Sequence, residues 1–220
     1  MLSLRLTPLT ALALLALLAC GPPPAAPPPP PVAVAAPEPP PPAFSAGAWG
    51  TFHSERFGLR IPLPEGKAWR IDDHHGPWLE ATHAAEGSTL LVRSWTEDGR
   101  ATRARCEAQA RLWRPLPDRP SADVMQERSI AAPEGFDTQI VIAVVPGKAG
   151  APLAAFALAF GAHAHRCFAW AYTTSAAGPG AERVLGERLA AMVERSLGKV
   201  VLENELVPKI GREPAGPPAR

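Results

Sequence analysis

The sequence predicts an α+β fold, an antiparallel β-sheet flanked by helices and preceded by a disordered proline-rich linker. Alternating apolar runs of strand length recur from Phe57 onward. Two stretches with helical spacing, near 100–113 and 181–197, bracket a long run of strands. A proline tract sets all of this apart from the amino terminus.

Residues 1–19 read as a secretory signal peptide. Arg5 and the amino terminus supply a modest positive region, Leu9 to Leu18 a short apolar core, and small residues precede Cys20. A bilayer span needs about 20 apolar residues, so this core is too short to be a retained transmembrane helix. Leu17-Leu18-Ala19-Cys20 resembles the lipobox of bacterial lipoproteins. The resemblance implies cleavage before Cys20, a thioether link from its sulfur to diacylglycerol, and acylation of the new amino terminus by a fatty acid such as palmitate. Each buried methylene contributes about 0.8 kcal/mol, so two or three acyl chains anchor stably. Gly21 stands where members of that family kept at the inner membrane often have aspartate. The implied location is therefore the cell envelope, on the outer membrane, periplasmic or surface-exposed.

Residues 20–43 form the linker, almost entirely Pro, Ala and Val, with Glu38 its single charge. Pro27 to Pro31 and Pro39 to Pro42 favour a polyproline II helix without internal hydrogen bonds. At about 3.1 Å per residue the tract extends roughly 60 to 70 Å, which suits a spacer holding a domain off a membrane. The rival use, as ligand of a proline-binding domain, lacks flanking basic residues.

The globular domain, residues 44–203, is long enough for one real core. The whole chain carries a formal net charge of +1, and loss of Arg5 leaves the mature chain near neutral. Without a basic excess, nucleic-acid binding is not expected. Of 3 cysteines, Cys20 is committed to lipid, leaving Cys106 and Cys167 as a disulfide pair in an oxidising compartment.

Phe57, Leu59, Ile61 and Leu63 alternate as on a strand, and Pro62, lacking an amide donor, belongs at an edge or an end. A short strand at 68–71 precedes a turn around Asp72 to Pro77. Trp78 to Ala84 and Ser88 to Trp95 form a hairpin about Glu86-Gly87. Asp98 caps a helix over 100–113, with Ala101, Ala104, Ala108 and Leu112 as its apolar and small positions and Arg114-Pro115 as its stop. Residues 115–123, with three prolines, are a loop.

A meander follows: Ser129 to Ala132, then Phe136 to Val145, whose later half is apolar on both faces like a central strand. The chain then turns into Leu153 to Phe160 and Arg166 to Thr174. Phe156, Leu158 and Phe160 point one way, as Phe168, Trp170 and Tyr172 do, which leaves the opposite faces to alanine and open to close approach. Gly178-Pro-Gly180 leads into a helix over 181–197 with an apolar stripe of Leu185, Leu189, Met192, Val193 and Leu197 and Gly198 as its stop. Residues 199–202 make a last short strand, and 204–220 a flexible tail.

This order, opening on Phe57-Gly-Leu-Arg-Ile-Pro-Leu-Pro64 and closing on an amphipathic helix, resembles the PsbP-like fold, an α/β/α sandwich on an antiparallel sheet. The resemblance covers roughly residues 50–203. It implies a binding or assembly module, since known members are mostly non-enzymatic, and it carries over no functional residue.

Cys167 alternates with Ala169 and Ala171, and Cys106 lies in an alanine-dense helix, so helix and sheet can approach within disulfide reach. His163-Ala-His165-Arg-Cys167 has the spacing of a zinc-ligating strand, but a turn at 161–165 and the use of Cys167 in a disulfide make His163 and His165 weak metal candidates. Asp72-Asp-His-His75, with Glu80 and His83, reads as a solvated turn without metalloenzyme spacing. Ser196-Leu-Gly-Lys199 is a Ser-x-x-Lys by chance, and Gly178-Pro-Gly180 a plain loop. Among 6 tryptophans, Trp95 and Trp170 fill core, while Trp49, Trp69 and Trp78 would mark a partner surface if they shared an exposed face.

No nucleophile elbow, phosphate loop, His-Glu-x-x-His or dinucleotide fingerprint occurs. The leading expectation is a non-enzymatic, membrane-anchored envelope lipoprotein that binds or scaffolds a protein partner, without a cofactor. The alternatives are a hydrolase or metal-dependent enzyme built from scattered His, Asp and Glu, and a small-molecule or lipid carrier with an apolar cavity.

Overall fold

The structure, a computed structural model, describes residues 49–147 and 151–203. The signal peptide, Cys20, the linker and the tail from 204 lie outside the described residues. Within them the chain is of mixed α+β class, with two antiparallel sheets and two helices.

The larger sheet takes β3 (Arg70–Asp72), β4 (Leu79–His83), β5 (Ser88–Thr96), β6 (Asp123–Ile130), β7 (Asp137–Val145), β8 (Leu153–His163) and β9 (Arg166–Ala176) in the order β3-β4-β5-β9-β8-β7-β6. The smaller one takes β1 (Trp49–Ser54), β2 (Leu59–Pro64) and β10 (Val201–Leu202), with β2 in the middle. The helices are α1 (Arg103–Trp113) and α2 (Ala181–Ala191). β1 had no counterpart among the expected elements. Pro62 keeps its place in β2 because β10 pairs only with Leu59 and Arg60, so beyond them the strand has a neighbour on one side alone.

The β8–β9 hairpin corrects the expected alanine face. Its register sets Ala157 opposite Tyr172, Ala159 opposite Trp170, Leu158 opposite Ala171 and Phe160 opposite Ala169. Directly opposed residues share a face, so the large side chains of β8 and those of β9 go to opposite sides. Each face alternates large with small, and layers of even thickness result. A one-residue change of register would have produced the expected segregation.

One core joins Phe168, Trp170 and Tyr172 of β9 to Leu59, Ile61 and Leu63 of β2. It is closed by Leu185, Leu189 and Met192, so α2 packs at once on the large sheet and, through its carboxyl-terminal part, on the small one. The other face of the large sheet buries Trp78, Leu91, Phe156, Leu158 and Phe160 beneath α1 and the 115–122 segment. β7 is not central but next to the edge. It is apolar on both sides because Ile140 enters the first core while Ala143 enters the second.

Helix α1 differs from expectation in its cap and in its rotation. Thr102, not Asp98, caps it, its hydroxyl accepting from the Arg105 amide. Its buried residues are Cys106 and Ala110, whereas Ala104 and Ala108 are exposed and Leu112 is 79% exposed. The sulfurs decide this. Cys106 and Cys167 stand at disulfide distance with Cα atoms 5.4 Å apart, and only a helix face as small as Cys106 and Ala110 can approach the sheet so closely. Helix α2 continues past Ala191 through a π-turn, Met192–Ser196, and a 3-10 turn, Leu197–Lys199, before entering β10.

β6 begins at Asp123, well before the expected Ser129, and ends at Ile130. From Asp123 to Ser129 its residues are exposed, and that exposure removed the apolar alternation by which a strand is read.

Candidate functional site

Helix α2 packs over β9 and β8. On that side of the sheet β7 and the edge strand β6 are therefore left without a helix above them among the described residues. The result is a groove of about 640 Å³ between α2 and β6. Its floor is apolar: Ile142 and Val144 from β7, Leu153 from β8, Leu185 and Leu189 from α2, and Val193 from the π-turn that continues it. Gly186 and Ala190 line the helical wall; Asp123, Met125, Gln126 and Arg128 line the strand wall. Met125 is 69% exposed and falls where the β6–β7 register shifts between Val124 and Gln126. Such a bulge re-aims a side chain and blunts an edge. β6 bonds to β7 on one side and to no strand on the other among the described residues. Its outward amides and carbonyls are thus open to an added strand.

Of the groove residues, sequence reasoning singled out Leu185, Leu189 and Val193 as a core-facing stripe, and none of the strand-wall residues. The one local signal was Gly186, a helix-weakening residue inside an otherwise regular amphipathic stretch.

The sequence-predicted residues fall elsewhere. Cys20 is outside the described residues. Cys106 and Cys167 are fully buried and join α1 to β9 beside Ala101 and Ala162. His163 and His165 diverge at the tight β8–β9 turn. The His163 ring lies 5.6 Å from that of Phe136, whereas His165 Nδ1 is 2.9 Å from the Gly99 carbonyl. With the Cys167 sulfur directed to Cys106, the three do not form one ligand set. No grouping of three or more His, Cys, Asp or Glu suited to a metal occurs among the described residues.

The Asp72 cluster is held as a turn. Asp72 Oδ1 accepts from the amides of His74 (3.1 Å) and His75 (3.0 Å), and chiefly these backbone bonds lower its pKa to about 2. Asp73 accepts from the Ser54 hydroxyl at 2.8 Å, tying the turn to β1. Glu80 pairs with Arg114. His83 is buried edge-on to Trp69, its Nε2 3.5 Å from a Glu65 carboxylate oxygen. Ser196 is buried while Lys199 is exposed, so the Ser-x-x-Lys pattern builds no nucleophile site.

The tryptophans do not share an exposed face. Trp69 and Trp78 are buried in cores on opposite sides of the large sheet, and Trp49 is half-buried beneath the Arg195 guanidinium, 4.4 Å from its ring. Trp95, expected in the core, is only half-buried, and it meets Trp113 edge-on at 4.9 Å.

A second depression, at the amino-terminal end of α1, gathers Arg100, Arg103, Arg119, Asp137 and His163. Two of its three arginines are paired, Arg103 with Asp137 at 3.3 Å and Arg119 with Glu127 at 3.0 Å. A buried network without an opening onto either depression joins Arg188 of α2 to the β4–β5 turn and β9. Arg188 forms an ion pair with Glu86 and donates to the Glu86 and Ser175 carbonyls, each at 3.0 Å. Ser88 Oγ donates to Thr174 Oγ1 at 2.9 Å and lies 3.1 Å from the Tyr172 hydroxyl, whose pKa burial pushes up.

No family model and no curated protein matches the chain. A crystal structure from Bacteroides thetaiotaomicron VPI-5482 aligns with a TM-score of 0.41 and 9% identity over 70% of this chain. The alignment spans 48% of that structure's own length, and at this level the likeness extends to neither site nor function.

Proposed function

We propose that the chain is an envelope lipoprotein, held to the outer membrane through a lipidated Cys20, whose domain is a non-enzymatic module for binding another envelope protein. The lipobox supports the anchor, the proline tract of 20–43 supports reach, and the order of elements supports the PsbP-like relationship. The observation that carries the binding role is the β6–α2 groove: an eight-residue edge strand beside an apolar floor that the described residues leave uncovered. Exposed edges of this length are ordinarily shielded or used.

The test is a photo-crosslinking residue placed at Met125 in the full chain and activated in intact envelopes, with Ala108 on the exposed face of α1 as control. A discrete adduct from position 125 and none from 108 is expected. Absence of adducts at both positions would sink the groove as the binding surface. Loss of fatty-acid labelling and of membrane association in Cys20→Ser is the expected companion result. A Cys20→Ser chain that stays with the membrane would overturn the anchor.

A further inference from the structure

The chemistry of the groove restricts what it accepts. A glycine inside a helix costs about 1 kcal/mol relative to alanine. A Cβ on Gly186 would meet nothing within 4 Å, so no neighbour among the described residues requires its smallness. Ala190, one turn further on, is exposed on the same wall. This stretch of α2 thus keeps its wall low at a cost in helix stability, as a surface receiving a ligand does.

Charge gives the second restriction. Elsewhere the domain pairs carboxylates with arginines, as at Glu80–Arg114, Glu97–Arg105, Glu107–Arg111 and Glu187–Arg183. Asp123, Glu182 and Glu194 all line the groove and form no ion pair among the described residues, with Arg128 the one basic side chain on its described lining. Glu182 and Glu194 are twelve positions apart, about 18 Å along a helix. An extended chain covers that distance in about six residues.

Resting on the binding-module reading, we propose that the groove takes an extended segment of a partner protein, apolar at alternate positions and carrying lysine or arginine toward its ends. The segment adds to β6 as a further strand. Backbone bonds to the free edge hold it, its apolar side chains on the α2 side close over the mouth of the groove, and its cations meet Glu182 and Glu194.

The experiment uses the full chain and fluorescein-labelled eight-residue peptides of alternating valine and threonine. One peptide has lysine at both ends, one has glutamate there, and one lysine-ended version has alternate amides N-methylated so that they cannot donate. Fluorescence anisotropy is expected to show saturable binding of the first and about tenfold or greater weakening for the other two. Amide exchange should slow across 123–130 on binding. Gly186→Leu should lose the peptide while its circular dichroism and thermal unfolding stay native, and Glu182→Lys/Glu194→Lys should reverse the preference toward the glutamate peptide.

Equal binding of lysine and glutamate peptides, full binding by Gly186→Leu, or unchanged β6 exchange would overturn the proposal. Protection of β6 in the free chain that vanishes when 204–220 is deleted would assign the groove to that segment, and a dimer mass that Gly186→Leu abolishes would assign it to a second copy. Either result overturns the partner segment. A discrete adduct at position 125 without lysine preference would refute this occupant and leave the binding module standing.

Discussion

At the scale of single residues, placement depends on where each polar atom finds its bonds. Asp72 is partly exposed, yet its carboxylate is committed to the amides of His74 and His75. Its pKa in the fold, about 2, lies below the ordinary 3.8. The turn's contribution to stability is therefore complete above about pH 4 and is lost as pH falls through 2. Carbon-detected NMR titration should find the Asp72 carboxyl inflecting near 2, with the His74 and His75 amide shifts moving together with it; an inflection near 4 would mean that those bonds are not formed. Arg188 is the opposite case, 4% exposed and bound to Glu86 and two carbonyls. Arg188→Met leaves a buried carboxylate uncompensated and should cost about 3–5 kcal/mol by urea unfolding, with Glu86→Met added to it recovering much of the loss.

At the scale of elements, α1 shows most directly that sequence spacing and burial can part. Its apolar and small positions, Ala101, Ala104, Ala108 and Leu112, recur at helical intervals, yet of these only Ala101, just ahead of the helix, is buried. The structure instead turns Cys106 and Ala110 inward, because one covalent constraint outweighs the modest burial gained from alanine methyls. The sulfur pair closes a separation of 61 residues, for which loop-closure entropy corresponds to roughly 4 kcal/mol. Cys106→Ala/Cys167→Ala should lower the urea midpoint accordingly and speed amide exchange in α1 before that in β9; an unchanged midpoint would show that the sulfurs add nothing to stability. In α2, Gly186→Ala should raise stability by about 0.5–1 kcal/mol, since it meets no clash and improves helix propensity. A loss of stability would reveal a packing need for glycine that the structure does not display.

At the scale of the whole domain, the two sheets share one core. Leu59, Ile61 and Leu63 of the small sheet and Trp170 and Tyr172 of the large one close on the same face of α2. The sheets should therefore melt as one unit. Ile61→Ala, a fully buried truncation, is expected to cost about 2–5 kcal/mol and to shift tryptophan fluorescence and far-ultraviolet circular dichroism by equal amounts. Separate midpoints would show that β1, β2 and β10 unfold on their own.

Wherever burial leaves a periodic mark, the sequence read well. The hairpin around Gly87, the strands at β7, β8 and β9, the stripe on α2 and the proximity of Cys106 to Cys167 all come from local patterns of size and polarity. The stripe supplied Leu185, Leu189 and Val193 to the groove, but none of these patterns gave the groove itself. β6 is exposed along nearly its whole length and so carries no alternation, and whether a strand lies at an edge is set by the other strands. The alanine faces failed for a related reason: side-chain period fixes which residues share a strand face, but only hairpin register fixes which faces of two strands coincide. The chain alone thus determined its segments and their inward sides, whereas the tertiary arrangement decided what α2 covers and what it leaves open, because coverage depends on distances between elements remote in sequence.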